Sequence, residues 1–323
     1  MRTVNPASEQ EIVAQAAAAI RPKLALLEAR RKAYLLLTKL VVTGVFAVMA
    51  MAALVLWALL GGYVALFVLA GGLAFAGVAF LACVKLYKGS ARGEIVPPLA
   101  GALGLTYSPD APGFDAGRLV SLDVLPPCEA ASATDLVRGR HRDTGFRMAE
   151  VRCWIERVQS MKTGNRRRRD MQWQGLVVEI EVPAPFAGPV ILTRDRGRLL
   201  NAVDGRPGQF DTLVRVQVAD PAFEKVFEVF AAVPAEAERL LQAPLRDSLV
   251  ALSEARPGKA LGAAFVDGLF ILALPLKGRI LAQGTLFQPA ETLLRELPQA
   301  LRELTLPHRV IDYLHGDRPG PLL

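Results

Sequence analysis

No Asp, Glu, Lys, Arg or His occurs between Leu40 and Val84, a run of 45 residues. That absence excludes an ordinary soluble helix, which would carry a polar stripe at helical period. It also excludes a secretory h-region, which is shorter and lies near the start of a chain. A bilayer core of about 30 Å takes about 20 helical residues, so the run is too long for one span and suits two. In hydrocarbon every backbone amide must be satisfied within the segment, which leaves helices as the economical solution. Two spans, 40–60 and 63–84, are expected, reversing at Gly61-Gly62-Tyr63, with Trp57 and Tyr63 at headgroup level.

Cysteine is scarce too. Cys83, Cys128 and Cys153 form no Cys-x-x-Cys pair and supply neither a disulfide framework nor zinc-type spacing. Free, mostly buried thiols are expected. Histidine is limited to His141, His308 and His315, and His308 and His315 stand seven apart. Pro307 and Gly316 argue against a helix there, and Asp312 is the sole further ligand candidate, so surface histidines are expected and no metal. Phosphate loops of the Gly-x-x-x-x-Gly-Lys or Gly-x-Gly-x-x-Gly type are absent, as are Gly-x-Ser-x-Gly and His-Glu-x-x-His; the arginines 194, 196, 198 and 206 lie among glycines without such spacing. No cofactor is implied.

Charge is unevenly placed. Ahead of the spans, seven Lys and Arg face Glu9, Glu11 and Glu28, a surplus of four; the rest of the chain has thirty-one basic against twenty-eight acidic residues, a surplus of three. Basic character therefore concentrates beside the membrane, where attraction to anionic lipid favours it, and is no nucleic-acid footprint. Arg30, Arg31, Lys32 and Lys39 precede the first span, Lys85, Lys88 and Arg92 follow the second, and the turn is uncharged. By the positive-inside rule both termini are cytoplasmic.

Ser8 and Glu11 stand as in a capping box and start a helix, with Ile12, Ala16, Ile20, Leu24, Leu27 and Tyr34 near one face. Pro22 is expected to kink or interrupt it, and Gly89, Gly93 and Pro97-Pro98 to end the helix after the second span. Residues 108–127 read as loop. Strands are expected over 135–140, 146–157, 174–182, 189–193, 214–218, 227–231, 260–266 and 269–274, with turns at Asp143-Thr144-Gly145, Asp220-Pro221 and Asp267-Gly268. Helices are expected over 234–253 and 289–304, followed by a polar tail. Strands grouped apart from helices argue an α+β chain with a mostly antiparallel sheet. Its parts are an N-terminal helical segment (1–39), a transmembrane helical hairpin (40–84) and a cytoplasmic α+β domain (93–323).

Two stretches carry a resemblance: Asp220-Pro221-Ala222-Phe223-Glu224-Lys225-Val226-Phe227, and Phe265-Val266-Asp267-Gly268 with Leu269-Phe270-Ile271 after it. Together with Leu105-Thr106-Tyr107-Ser108-Pro109, two spans after a helical tail and a basic loop between central strands, the chain resembles, over nearly its whole length, the bacterial family catalogued as domain of unknown function 3137. The resemblance implies this fold and topology, with no catalytic residues to carry over; the address expected for the chain is the bacterial inner membrane.

The sharpest local feature beyond the spans is Arg166-Arg167-Arg168-Arg169 with Lys162, read as a loop between strands. It suits anionic lipid headgroups; the plainer reading is a solvated hairpin tip. Nucleic acid is disfavoured because aromatics are not interleaved with the charge. Cys153 and His141 make a weak nucleophile pair, and Glu179 and Glu181 read as a solvent-facing edge. Small residues Gly44, Ala47, Ala50, Gly71, Gly72 and Ala76 permit close packing within the hairpin or between copies. The expected function is that of a membrane-anchored cytoplasmic interaction module, not an enzyme, whose partners are the lipid bilayer and a protein or a second copy of the chain. An enzyme of unrecognised class acting at the membrane surface is the alternative.

Overall fold

The computed structural model describes residues 6–60, 62–161, 164–194, 213–255, 261–276 and 286–317. The chain is α+β, as expected: two long helices, then a large antiparallel sheet with shorter helices. It divides into two units. One comprises Gln10–Ala102 with Leu281–Pro298, the other Leu103–Ile280 and Gln299–Leu323 with Met1–Glu9.

In the first unit, α1 (Pro6–Leu60) and α2 (Gly62–Ala102) reverse about Gly61, which itself lies outside the described residues. Facing pairs lie nearly equally far from that glycine: a Cβ on Gly72 would sit 2.7 Å from the Met49 side chain, Tyr34 meets Tyr87 edge-on at 6.0 Å, and Arg30 bonds Glu94 at 2.9 Å. The two helices are therefore antiparallel neighbours along their length. Both are long and apolar enough to cross a membrane, and only 6% and 12% of their most apolar windows are buried, the opposite of a soluble core helix. Of the small residues, Gly72 packs inside the hairpin and Ala53 and Ala76 are buried, while Gly44, Gly71 and Gly77 face open space.

Neither expected helix break occurs. Pro22 lies inside α1, and Gly89, Gly93, Pro97 and Pro98 lie inside α2. A proline in a helix loses one amide donor and crowds the preceding turn. Here burial on both sides offsets that cost: Ile20 and Leu27 of α1, and Ile95, Val96, Leu99 and Ala100 of α2, are almost fully inaccessible. At about 1.5 Å per residue α1 is about 80 Å long, well beyond a hydrocarbon layer.

The second unit holds one sheet of nine strands among the described residues, ordered β1-β2-β3-β4-β9-β8-β5-β7-β6 and antiparallel throughout. The strands are β1 (Thr106–Asp110), β2 (Ala130–His141), β3 (Thr144–Met161), β4 (Gly164–Glu181), β5 (Val190–Arg194), β6 (Val214–Val216), β7 (Phe227–Ala231), β8 (Gly262–Val266) and β9 (Leu269–Pro275). One face carries Ala149, Val151, Cys153, Trp173 and Val177, packed with Phe114, Leu119 and Leu125 from the segment around α3 (Ala116–Ser121). That helix falls in a stretch read as loop; Asp115 caps it by accepting from the Arg118 amide at 3.0 Å.

Two of the three predicted turns form as hairpin reversals, one of them displaced. Asp267-Gly268 joins β8 to β9 with φ of 51° and 76°. The β2–β3 turn falls on Arg142-Asp143, φ 49° and 60°, so Thr144 and Gly145 already belong to β3. Asp220-Pro221 is a helix start: Asp220 accepts from the Ala222 and Phe223 amides at 3.1 Å and caps α4 (Pro221–Glu224). The helix expected over 234–253 is two, α5 (Pro234–Leu240) and α6 (Ala243–Glu254), split where Leu241 and Gln242 leave helical geometry ahead of Pro244. After a 3₁₀ turn (Ala290–Thr292) come α7 (Leu293–Leu304) and α8 (Leu306–Leu314). The last was not expected, yet Pro307 stands in its first turn, where a missing amide is harmless.

Candidate functional site

The arginine run is strand, not loop. Arg166, Arg167, Arg168 and Arg169 of β4 pair with Gln159, Val158, Arg157 and Glu156 of β3. Lys162 lies outside the described residues, and of Arg166 only the backbone pairing is described. β2 last pairs with β3 at Trp154, and β9 last pairs with β4 at Gly175. Beyond those points, among the described residues, the two strands pair only with each other, a ribbon running about 20 Å from Ile155 to Met161.

Strand geometry distributes its charge. Alternation sends Arg157, Arg168 and Asp170 to one face, Glu156, Arg167 and Arg169 to the other. Each acid is shared by two arginines: Asp170 stands 2.9 Å from Arg168 and 3.4 Å from Arg157, and Glu156 stands 3.0 Å from Arg169 and 3.8 Å from Arg167. The arginine side chains stay 71–79% exposed from Arg167 to Arg169, so these pairs contribute little, about 0–1 kcal/mol each. Arg157 stands directly opposite Arg168, a like-charge pair that costs stability. From Ile155 to Asp170 the sequence holds six basic residues against two acidic ones. What the ribbon can do chemically is present planar guanidinium donors on both faces to phosphate or carboxylate oxygens.

A second cluster forms where the β2–β3 turn meets α8. All three histidines converge there. His141 Nε2 lies 2.9 Å from Asp312 Oδ1, His141 stacks on His308 at 4.7 Å, and His315 Nε2 approaches the Thr144 hydroxyl at 3.4 Å. Arg142 bridges Asp312 at 3.1 Å and Asp317 at 2.6 Å. Phe146 meets His308 edge-on at 5.4 Å, and His308 Nε2 is buried with no hydrogen-bond partner among the described residues. Burial above all, then the neighbouring His141, pushes the His308 imidazole down to about 4. Among the described residues no group of three or more His, Cys, Asp and Glu is arranged to hold a metal. Reading Pro307 as a helix breaker hid this cluster; Pro at a first helical turn was the signal that could have found it.

The Cys153–His141 pairing does not form. His141 pairs with Thr144 at the turn, whereas Cys153 lies nine residues further along β3, about 30 Å away, opposite Ala131 and Trp173. Burial, together with a hydrogen bond to Cys128, pushes its thiol far up, and the cysteines are free. Glu179 and Glu181 do not share a solvent-facing edge, because β4 is an interior strand: Glu181, its last residue, is exposed, whereas Glu179 is not. Glu179 is buried against Arg147, whose guanidinium also sits 5.4 Å from the Phe114 ring centre; Glu181 accepts from the Gly145 amide at 2.9 Å. Arg194 ends β5, and the arginines 196, 198 and 206 lie outside the described residues.

The flanking cations divide by partner. Arg30 bonds Glu94, Arg31 and Lys32 pair with Glu28 at 2.6 and 3.9 Å, and Arg92 is buried. Lys39 and Lys85 are exposed, and the Lys88 side chain lies outside the description.

A family model described as "Protein of unknown function (DUF3137)" matches residues 171–315, a narrower span than the resemblance along nearly the whole chain. No curated protein matches. The crystal structure of the mycobacterial trehalose monomycolate transport factor A, TtfA, aligns with 63% of this chain and 90% of its own, at 11% identity and a TM-score of 0.32, too distant to bear on the present fold or function. The matched segment contains both the Asp220–Phe227 run and the Phe265–Gly268 hairpin, so over residues 171–315 the chain is similar to that family of unknown function.

Proposed function

We propose that the chain is a membrane-anchored interaction module: the α1–α2 hairpin holds it in the bilayer, both termini lie on the cytoplasmic side of a bacterial inner membrane, and the β3–β4 ribbon engages anionic lipid headgroups. The observation that carries this reading is the ribbon itself. A two-stranded arm is marginal alone; among the described residues this one has no other strand beside it, and it adds an Arg157–Arg168 like-charge pair in a stretch, 155–170, whose sequence has only two acids against six basic residues. Anionic headgroups would relieve that repulsion, each basic residue contributing about 1 kcal/mol near the surface. The basic flanks and the uncharged turn support the orientation.

The test is protection of the ribbon from trypsin in full-length protein reconstituted into nanodiscs. With phosphatidylglycerol present, cleavage at Arg166–Arg169 slows relative to pure phosphatidylcholine, and moderate salt abolishes the difference. Equal cleavage in both lipids rejects lipid engagement. Impermeant thiol labelling of a single cysteine beside Arg168 in intact cells rejects the cytoplasmic orientation if the label is incorporated.

A further inference from the structure

Among the described residues beyond the helical hairpin, Phe287 is the most exposed large apolar side chain, at 60%. Single exposed apolar residues are ordinary, so its position is what matters. The segment Leu286–Ala290 is pinned at both ends to one charged pair on α1. Arg31 donates to the Leu286 carbonyl at 3.2 Å, Glu28 accepts from the Ala290 amide at 3.0 Å, and the two side chains bond each other at 2.6 and 2.8 Å. The Arg31 hydrogen bond, with smaller help from the Ala290 amide, holds the Glu28 carboxyl down to about 2, so the clamp is charged at neutral pH. Leu286 is buried, and the Phe287 ring stacks on Phe80 of α2, centres 5.9 Å apart and planes 23° apart.

Phe80 fixes the depth. It lies four residues inside the uncharged run and nineteen from Gly61, which at 1.5 Å per residue is about 28 Å along the helix. A hydrocarbon layer about 30 Å thick with one boundary at the Trp57–Tyr63 turn has its other boundary at this level. The outward apolar belt reaches the same height on both helices: Leu36, Leu37, Leu40, Leu81 and Leu86 are all exposed. Phe287 therefore continues that belt.

From this placement we infer that Leu286–Pro289 is a membrane-interface anchor in which Phe287 inserts among the acyl chains beside Phe80, giving the chain a contact with the hydrocarbon layer besides those of its two helices. The inference rests on the membrane reading above. Its ligand is the acyl region of phospholipid, recognised by an apolar ring presented at the boundary on a charge-clamped loop.

The experiment places photoreactive p-benzoylphenylalanine at position 287, and separately at 57 and 233, in full-length protein in vesicles of phosphatidylethanolamine and phosphatidylglycerol. Lipid adducts at 57 and 287 with none at 233 are expected. The double variant Glu28→Gln, Arg31→Gln should lose the adduct at 287 and keep it at 57. Adducts at 57 alone, or protein cross-links in place of lipid at 287, overturn the anchor and leave the membrane reading standing. No adduct at 57 overturns both.

Discussion

Lowering the pH from 7.5 to 4 should destabilise the sheet unit through His308 in particular. Burial disfavours its imidazolium, and His141 stacked at 4.7 Å adds to this, so the folded-state value is about 4 against 6.5 unfolded. Above 6.5 the ring is neutral in both states and contributes no pH dependence. As pH falls from 6.5 towards 4 the unfolded chain takes up a proton that the folded chain refuses, and stability falls. Integrated over that window the effect is at most about 3 kcal/mol, with a limiting slope of about 1.4 kcal/mol per pH unit. The comparison is wild type against His308→Leu, of similar volume and without a titrating ring, both full length in detergent, unfolded by urea and followed by fluorescence of Trp154 and Trp173. Carboxylate titrations common to both chains cancel in the difference. The wild type should lose stability relative to the variant on going from pH 7.5 to 4. A difference that does not change with pH refutes the assignment. A relative gain by the wild type refutes it more sharply, because it makes attraction to Asp312, which opposes burial here, the larger influence.

Other outcomes follow from single contacts. In Gly175→Ala the new Cβ would lie 2.1 Å from the Leu274 carbonyl oxygen, and in Gly262→Ala 2.2 Å from that of Val124; backbone must move, so each should lower stability by about 1–3 kcal/mol in urea unfolding. Gly93→Ala meets open space inside α2 and should raise the thermal midpoint, by up to about 1 kcal/mol of stability. Arg147→Met strands the buried Glu179 carboxylate and should cost about 3–5 kcal/mol, most of it recovered by adding Glu179→Gln. Iodoacetamide on the native protein should modify half-buried Cys128 and spare Cys153, whose thiol is buried and pushed up, as read by peptide mass spectrometry.

What the sequence could and could not disclose follows from the range of the forces involved. The helical hairpin was legible because an absence of charge over 45 residues is a local property that no tertiary contact overrides. The Asp267-Gly268 reversal was legible for the same kind of reason, since both positions need positive φ. Helix ends were not. Pro22, Pro97 and Pro98 read as breaks, but packing of Ile20, Leu27, Ile95 and Leu99 outweighs the lost amides, and that packing joins residues about 70 apart in the chain. Conversely Pro307 read as a breaker although its place in the first turn of α8 makes it compatible with helix.

The candidate sites follow the same division. Four consecutive arginines look like a loop because the cue for a strand is alternation between apolar and polar residues, and a run of one residue type has no alternation to detect. Here the strand is set from outside the run: β3 supplies the pairing partner, and Glu156 and Asp170, lying on opposite faces, each neutralise part of the charge on their own side. A strand places its arginines in two ordered rows, whereas a loop would leave them in one diffuse cluster. That difference is functional. Two rows on a projecting ribbon can each meet an array of phosphates, so removing two arginines of one face, Arg167 and Arg169, should weaken lipid engagement about as much as removing two of the other, Arg157 and Arg168. A diffuse cluster would instead respond to the number of arginines removed regardless of face, and pairing Arg167→Gln with Arg168→Gln would then match either same-face pair. Trypsin protection in anionic nanodiscs separates the two, because only ordered rows leave one intact face to the same-face variants and damage both faces in the adjacent pair.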